Sequence, residues 1–313
     1  MKIPFFITID NEGDNGWLRP KNATTSCSRG LERFQLLCNK YGFKPIYLTN
    51  YEMASDDFFV NMVKKYLDNK QCEIGLHIHS WNTPPIKEIT GEDYRYVPYL
   101  IDYPPSVMKE KISFMVDYLK KQFNTNIISH RAGRWAINKE YILLLQEKGI
   151  KVDCSVCPGF DFSKSESFPG KYGTNYSFSL SKTHLIEGTN ILEIPMTTCK
   201  NHLYDNFIIR SLSRLFKNNR ISSALENRFN IMLRPRKNNF YQLKRLVRKK
   251  INDNQTTHLE FMIHSSELYH GTNPKWKTEK EINQLYKKMD KLFNYISRYA
   301  YGCTFEDYIG KKL

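Results

Sequence analysis

The chain has 313 residues, with 47 Lys and Arg against 32 Asp and Glu, a formal net charge of +15 and 14% aromatic residues. That length can bury a large core and fits one large α/β domain or two small ones. No run of 18 apolar residues occurs, which excludes a membrane-spanning helix from the expected elements. Seven scattered cysteines, an odd number, fit a reducing compartment better than a disulfide framework.

KIPFFITI over residues 2–9 predicts a strand that enters a polar loop over 10–26. This apolar start is too short for a signal peptide and runs into acidic residues, so a cytoplasmic protein is expected. Residues 28–41 keep Leu31, Phe34, Leu37 and Cys38 on one helical face, with Gly42 as a stop. A strand is expected over 44–48. Asn50 is placed to cap a helix in which Phe58, Phe59, Met62, Val63, Tyr66 and Leu67 keep a helical period. The run from Cys72 to Ile78 predicts a buried strand, followed by a long polar loop over 80–104 and a helix over 105–123. Strands at 127–130, 151–155, 191–195 and 259–264, with helices at 137–148 and 278–297, complete the alternation around an irregular stretch at 157–190. Alternating strands and helices argue for parallel βαβ units. About seven repeats, with no G-x-G-x-x-G after the first strand, favour an α/β barrel over a nucleotide-binding doubly wound sheet.

The polar residues with chemical potential all fall at C-terminal strand ends, where parallel barrels carry their sites. His77 and His79 lie two apart, so in extended chain both imidazoles point to one side and can converge on a divalent metal. Asp10 and Glu12 share that spacing, and three carboxylates from Asp10 to Asp14 repel one another unless a cation or arginine sits among them. Arg131 and Arg134 flank Gly133 at the fourth strand end; an arginine there can hold a carboxylate by paired hydrogen bonds. Asp153 ends the fifth strand, and His264 with Glu267 ends the last long one. Imidazoles, carboxylates and an arginine together make an inventory for metal-assisted hydrolysis. Cys154 and Cys157 form a C-x-x-C with no second pair nearby.

FITIDNEGD, EIGLHIHSW, SHRAGRWAIN, VDCSV and FMIHSSEL resemble, in order, the five motifs of the NodB-like polysaccharide deacetylases. They are most similar to the WbmS-like subgroup of capsule and O-antigen biosynthesis clusters, in which the second motif reads H-x-H and the fifth HSSEL. The resemblance runs from the first strand to about residue 306. It implies a distorted (β/α)7 barrel, a divalent metal such as zinc, and removal of N-acetyl groups from amino sugars. Carried over residue by residue, it implies Asp10 as catalytic base, Arg131 as the group that orients it, His77 as a metal ligand, His264 as catalytic acid and Asp153 as the acid's partner. Two departures stand out: Asn11 follows the base where the family has an aspartate, and Trp81 stands where the family has its second histidine. Glu12 and His79 are expected to replace those ligands, giving a Glu12–His77–His79 set. The alternative makes Asp10 the ligand and Glu12 or Glu267 the base. Trp81, Trp135, Arg134 and Glu267 are expected to contact the sugar, with Trp17 and Tyr94 as further stacking candidates.

Between Lys200 and Ile251 there are 14 Lys or Arg against Asp205 and Glu226, so this segment carries +12 of the net charge. Residues 203–251 are expected to form a largely helical basic insertion before the last barrel strand of one domain spanning 1–313. Its mixture of basic and apolar residues fits four roles: a solvated cover, a patch resting on an anionic membrane, a surface for a nucleotide- or lipid-linked glycan precursor, or nucleic-acid binding through phosphates. No nucleic-acid-binding motif is present. The expected protein is a cytoplasmic enzyme, peripheral at the inner membrane face if the patch docks there. Rival readings are a deformylase-like or allantoinase-like C–N hydrolase, with or without metal, and a sugar-binding barrel without turnover.

Overall fold

The computed structural model describes residues 2–163, 170, 172–200 and 230–311. Chain order begins β1 (Ile3–Asn11), α1 (Leu31–Asn39), β2 (Pro45–Thr49), α2 (Tyr51–Ala54), α3 (Asp57–Asp68) and β3 (Glu73–Ile78). It continues α4 (Asp93–Tyr96), α5 (Pro105–Phe123), β4 (Ser129–Ala132), α6 (Lys139–Glu147), β5 (Val152–Asp153), β6 (His184–Leu185), β7 (Leu192–Glu193) and β8 (Thr198–Lys200). The rest is β9 (Asn230–Met232), α7 (Phe240–Ile251), β10 (Leu259–His264), α8 (Glu279–Ile296), β11 (Ala300–Gly302) and α9 (Phe305–Gly310).

The main sheet runs β10-β1-β2-β3-β4-β5-β7-β6, with β11 paired to the start of β1. Every pair in it is parallel except β6 against β7. It curls into a half-barrel. Between β7 and β10 three bonds span the opening: Glu260 N–H to Thr197 Oγ1 at 2.8 Å, Leu233 N–H to the Thr197 carbonyl at 2.9 Å and Met262 N–H to the Leu233 carbonyl at 3.1 Å.

The two-residue period of the strands sorts their side chains into two layers. Phe5, Ile7, Ile9, Ile74, Leu76, Ile78, Phe261 and Ile263 face the helices and form the main core with Phe34, Phe59, Ile112, Leu145, Leu246 and Phe293. Phe6, Ile46, Leu48, Val152 and Ile194 face the concave side, where Phe305 and Tyr308 of α9 plug the N-terminal end. The concave residues further along β1, β3, β4 and β10 are polar: Thr8 and Asp10, His77, Arg131, Glu260 and His264. The strand pattern therefore stacks a dry floor beneath a polar C-terminal mouth.

Helix ends follow their capping residues. Asn50 accepts from Met53 N–H at 3.3 Å, but it caps the short α2; α3 has its own cap, Asp56, which accepts from Phe59 N–H at 2.8 Å. One expected helix is thus two. The fourth strand lies later than its apolar run suggested, at Ser129–Ala132, so Arg131 is a strand residue rather than a loop residue. Of the basic insertion, 203–229 lies outside the described residues. In the rest, Asn230–Met232 pairs antiparallel with β8 and α7 packs Leu243, Leu246 and Val247 inward, so the segment is not helical throughout. Among the described residues no helix is long and apolar enough to cross a membrane. All seven cysteines are free, and Cys154 and Cys157 are buried in packing clusters.

Candidate metal and acid–base site

At the mouth of the half-barrel Asp10, Glu12, His77, His79 and His264 line an open cavity of about 190 Å3. Its other walls are Gly16, Trp17, Trp81, Tyr99, Arg134, Trp135, Phe162 and Arg234.

Glu12, His77 and His79 are buried and bring their ligand atoms within 4.8 Å of one another. Glu12 Oε2 is 3.1 Å from His79 Nε2 and 3.9 Å from His77 Nε2. These separations bracket the edge of about 3.4 Å that a tetrahedral zinc with bonds of about 2.0–2.1 Å requires. His77 Nδ1 lies 2.9 Å from the Arg131 carbonyl, which can only accept; the proton is therefore on Nδ1 and the Nε2 lone pair faces the group. Burial pulls the His77 imidazole down to about 4, so it is neutral near pH 7, as a ligand must be. Burial alone would raise the Glu12 carboxyl, but His264, His79 and His77 outweigh it and hold Glu12 below its ordinary value. Trp81 stacks on His79 at 4.5 Å and an interplanar angle of 16°, fixing that ring. The donor set fits a divalent ion.

Two close backbone approaches support this group. A Cβ on Gly16 would stand 2.6 Å from Glu12 Oε1, and one on Gly133 would stand 2.3 Å from the Ile78 carbonyl and 3.0 Å from His79 Cδ2. Gly133→Ala is therefore expected to push the His77–His79 segment outward. Divalent-metal affinity should drop by at least the about 10- to 100-fold seen when a ligand loses its support, measured by competition with a chromophoric chelator. Glu52, which sequence reasoning overlooked, ties the same loops together: it accepts from Gly13 N–H at 3.2 Å, Asn50 Nδ2 at 2.5 Å and Asn82 Nδ2 at 2.7 Å.

Beside the group, Asp10 is gripped by Arg131, whose Nη1 donates to Oδ1 at 2.6 Å. Arg131 is fully buried and also donates to Thr8 Oγ1 at 2.9 Å, the Cys154 carbonyl at 3.0 Å and Glu260. Burial opposes the Asp10 charge, yet Arg131, with His77 and His264, brings its carboxyl down to about 2. Asp10 Oδ2 is left facing His264 Nε2 at 3.7 Å. On the opposite face of His264, Nδ1 lies 3.3 Å from Glu267 Oε2, and Trp17 covers the ring at 4.7 Å. Asn11, one residue off the period, points away and donates to Thr49 Oγ1.

Three expected placements are corrected. Asp153 does not pair with His264. It directs its carboxylate at His130 Nδ1, 2.6 Å away, and His130 Nε2 meets the Tyr141 hydroxyl at 2.8 Å. The reason is register: Asp153 lies opposite His130 on β4 and shares its helix-facing parity, whereas His264 lies opposite Asp10 on the far side of the sheet. Glu267, expected at the sugar, does not line the cavity. It sits behind His264 in a short 3-10 turn, where it accepts from Arg234 Nη2 at 2.9 Å and from His264 N–H at 3.2 Å. Burial opposes its charge, but Arg234 and His264 hold its carboxyl well below the usual range. Trp17, Trp81, Trp135 and Arg134 do line the cavity; Tyr94 does not, and Tyr99 takes that place. Arg234 and Phe162 were missed, Arg234 because it sits in a basic run with nothing to mark it out.

No protein-family model and no curated protein sequence matches the chain. Among solved structures it is similar, over 98% of its own length, to 38% of the 4-alpha-glucanotransferase of Thermococcus litoralis, with 12% identity and a TM-score of 0.52. The chain thus spans well under half of that protein. It is also similar, over 97% of its length, to 94% of a candidate polysaccharide deacetylase from Mycobacterium smegmatis, with 9% identity and a TM-score of 0.47. A third likeness covers 61% of the chain and 56% of a candidate polysaccharide deacetylase of O-antigen biosynthesis from Bordetella bronchiseptica, with 10% identity and a TM-score of 0.36. At such identities the first likeness speaks for a shared fold, and function has to be read from the site's own residues.

Proposed function

We propose that the protein is a divalent-metal-dependent hydrolase that removes an N-acyl group, N-acetyl in the simplest case, from an amino sugar. The observation that carries this reading is the Glu12–His77–His79 group flanked by Asp10 and His264, each held from behind by a partner of opposite charge or by a hydrogen bond. One imidazole pair with one carboxylate suits zinc and its divalent neighbours. In the same reading the parallel strands β10-β1-β2-β3-β4-β5-β7 belong to a distorted (β/α)7 barrel, residues 1–313 are one domain, and 203–251 are an insertion in it. The setting in capsule or O-antigen assembly, on a nucleotide- or lipid-linked precursor at the inner face of the membrane, rests on the motif resemblance.

When bound, a divalent ion supplies Lewis-acid polarisation of a carbonyl and lowers the pKa of water. Asp10 is positioned as the base: Arg131 fixes one oxygen and keeps the carboxylate ionised, and the other oxygen takes a proton from the attacking water. His264 presents Nε2 to the cavity because Nδ1 is engaged by Glu267, so Nε2 is the atom that protonates the amine as the C–N bond breaks. The water oxygen ends in the released carboxylic acid. Trp17, Trp81 and Trp135 offer aromatic faces to a sugar ring.

The test is release of acetate from N-acetylated amino sugars by zinc-loaded protein. His264→Ala should lower kcat by about 10^2- to 10^4-fold with metal content unchanged. Absence of acid release from every N-acylated amino sugar tried would retire the assignment.

A further inference from the structure

Among the described residues one guanidinium of the cavity, that of Arg134, has no carboxylate partner. Asp10 is answered by Arg131, and Arg234 by Glu267. Arg134 lines the cavity, and among the described residues its only partner is the face of Tyr99, 5.8 Å from the guanidinium carbon. It is presented there by an unusual backbone: Arg134 and Trp135 are consecutive non-glycine residues in the left-handed region, with φ of 56° and 63°. Such conformations are unfavourable for non-glycine residues and persist where surrounding structure enforces them. Lys275 and Arg234 lie over the Trp17 ring at 5.0 and 5.5 Å. A guanidinium at a cavity wall without a counter-charge can take an anion by paired hydrogen bonds. A divalent ion on Glu12, His77 and His79 would offset the Glu12 charge and make the cavity more positive.

We infer that the amino sugar carries an anionic group, a carboxylate or a phosphate, on the same ring as the N-acyl group, and that Arg134 holds this group at the cavity rim. This deepens the proposed deacylation and rests on it for the identity of the sugar. A guanidinium matches the planar carboxylate and the phosphate oxygens equally well, so the geometry selects the charge rather than its source.

The test is calorimetric binding of three probes to the zinc-loaded protein: N-acetylglucosamine, its 1-phosphate, and N-acetylglucosaminuronic acid. At least one anionic probe should bind about 10- to 100-fold tighter than the neutral sugar. Arg134→Gln should erase most of that advantage, and added salt should shrink it. Because an anion can also gain from the metal, the Arg134-dependent part is the quantity that counts. A gain confined to the phosphate or to the uronate identifies the source. Equal binding of all three probes, or an anionic advantage untouched by Arg134→Gln, overturns the subsite. Acetate release is scored separately: hydrolysis without charge discrimination leaves the deacylation standing and removes the subsite, whereas discrimination without hydrolysis does the reverse.

Discussion

Arg131→Ala is expected to destabilise the protein by about 3–5 kcal/mol, the cost of leaving a buried charge without its partner. Arg131 is among the largest fully buried side chains of the described residues, and its guanidinium meets Asp10, Thr8, Glu260 and the Cys154 carbonyl in one place. Truncation would strand the Asp10 carboxylate and leave a cavity under the site. The pH dependence has a definite sign. Asp10 titrates at about 2 when folded against 3.8 for its free form, so the native state binds fewer protons there than the unfolded chain. Its contribution to stability is present above about pH 4 and is lost as pH falls through 2. In Arg131→Ala this acid-side loss should move to higher pH, because the main group holding Asp10 ionised is gone. Urea titrations of both proteins at pH 7 and at pH 3–4 read out both effects; a variant within about 1 kcal/mol of the wild type would show that the network is not the brace described.

Glu12→Ala should abolish stoichiometric divalent-metal binding, whereas Asp10→Ala should retain the ion and lose turnover. The contrast separates the two carboxylates that the sequence left in competition for one role. Glu12 Oε2 stands 3.1 Å from His79 Nε2, and Glu12, not Asp10, completes the group of three. Losing an outer hydrogen-bond partner of a ligand costs about 10- to 100-fold in affinity, and losing the ligand itself should exceed that. Asp10 is committed to Arg131 through Oδ1, so its removal should leave the metal donors in place. Calorimetric zinc titration with parallel acetate release reads both outcomes. Metal retained with full activity in Glu12→Ala would reverse the assignment.

Much of this site is legible in the sequence because a strand has only two faces. Asp10 with Glu12, and His77 with His79, share a parity and meet as that parity requires. The same reasoning, applied to Asp153, would have placed it with His130 on the helix-facing side; the motif resemblance instead set it beside His264, and the sheet keeps the two apart. Glu267 was misplaced for a different reason: it follows a strand end in a 3-10 turn, where the two-residue period no longer holds and the side chain folds back onto His264. Arg234 was invisible because its neighbours Arg236 and Lys237 give the run the look of a solvated surface, and only tertiary packing singles out the one that reaches Glu267.

The most direct measurement is elemental analysis of the purified protein together with its His77→Ala and His79→Ala variants. The expected result is one divalent ion per chain in the wild type, lost in both variants while their folding transitions remain. No stoichiometric ion after incubation with zinc, cobalt or nickel, or an ion retained in both variants, would contradict the assignment of Glu12, His77 and His79 as its ligands.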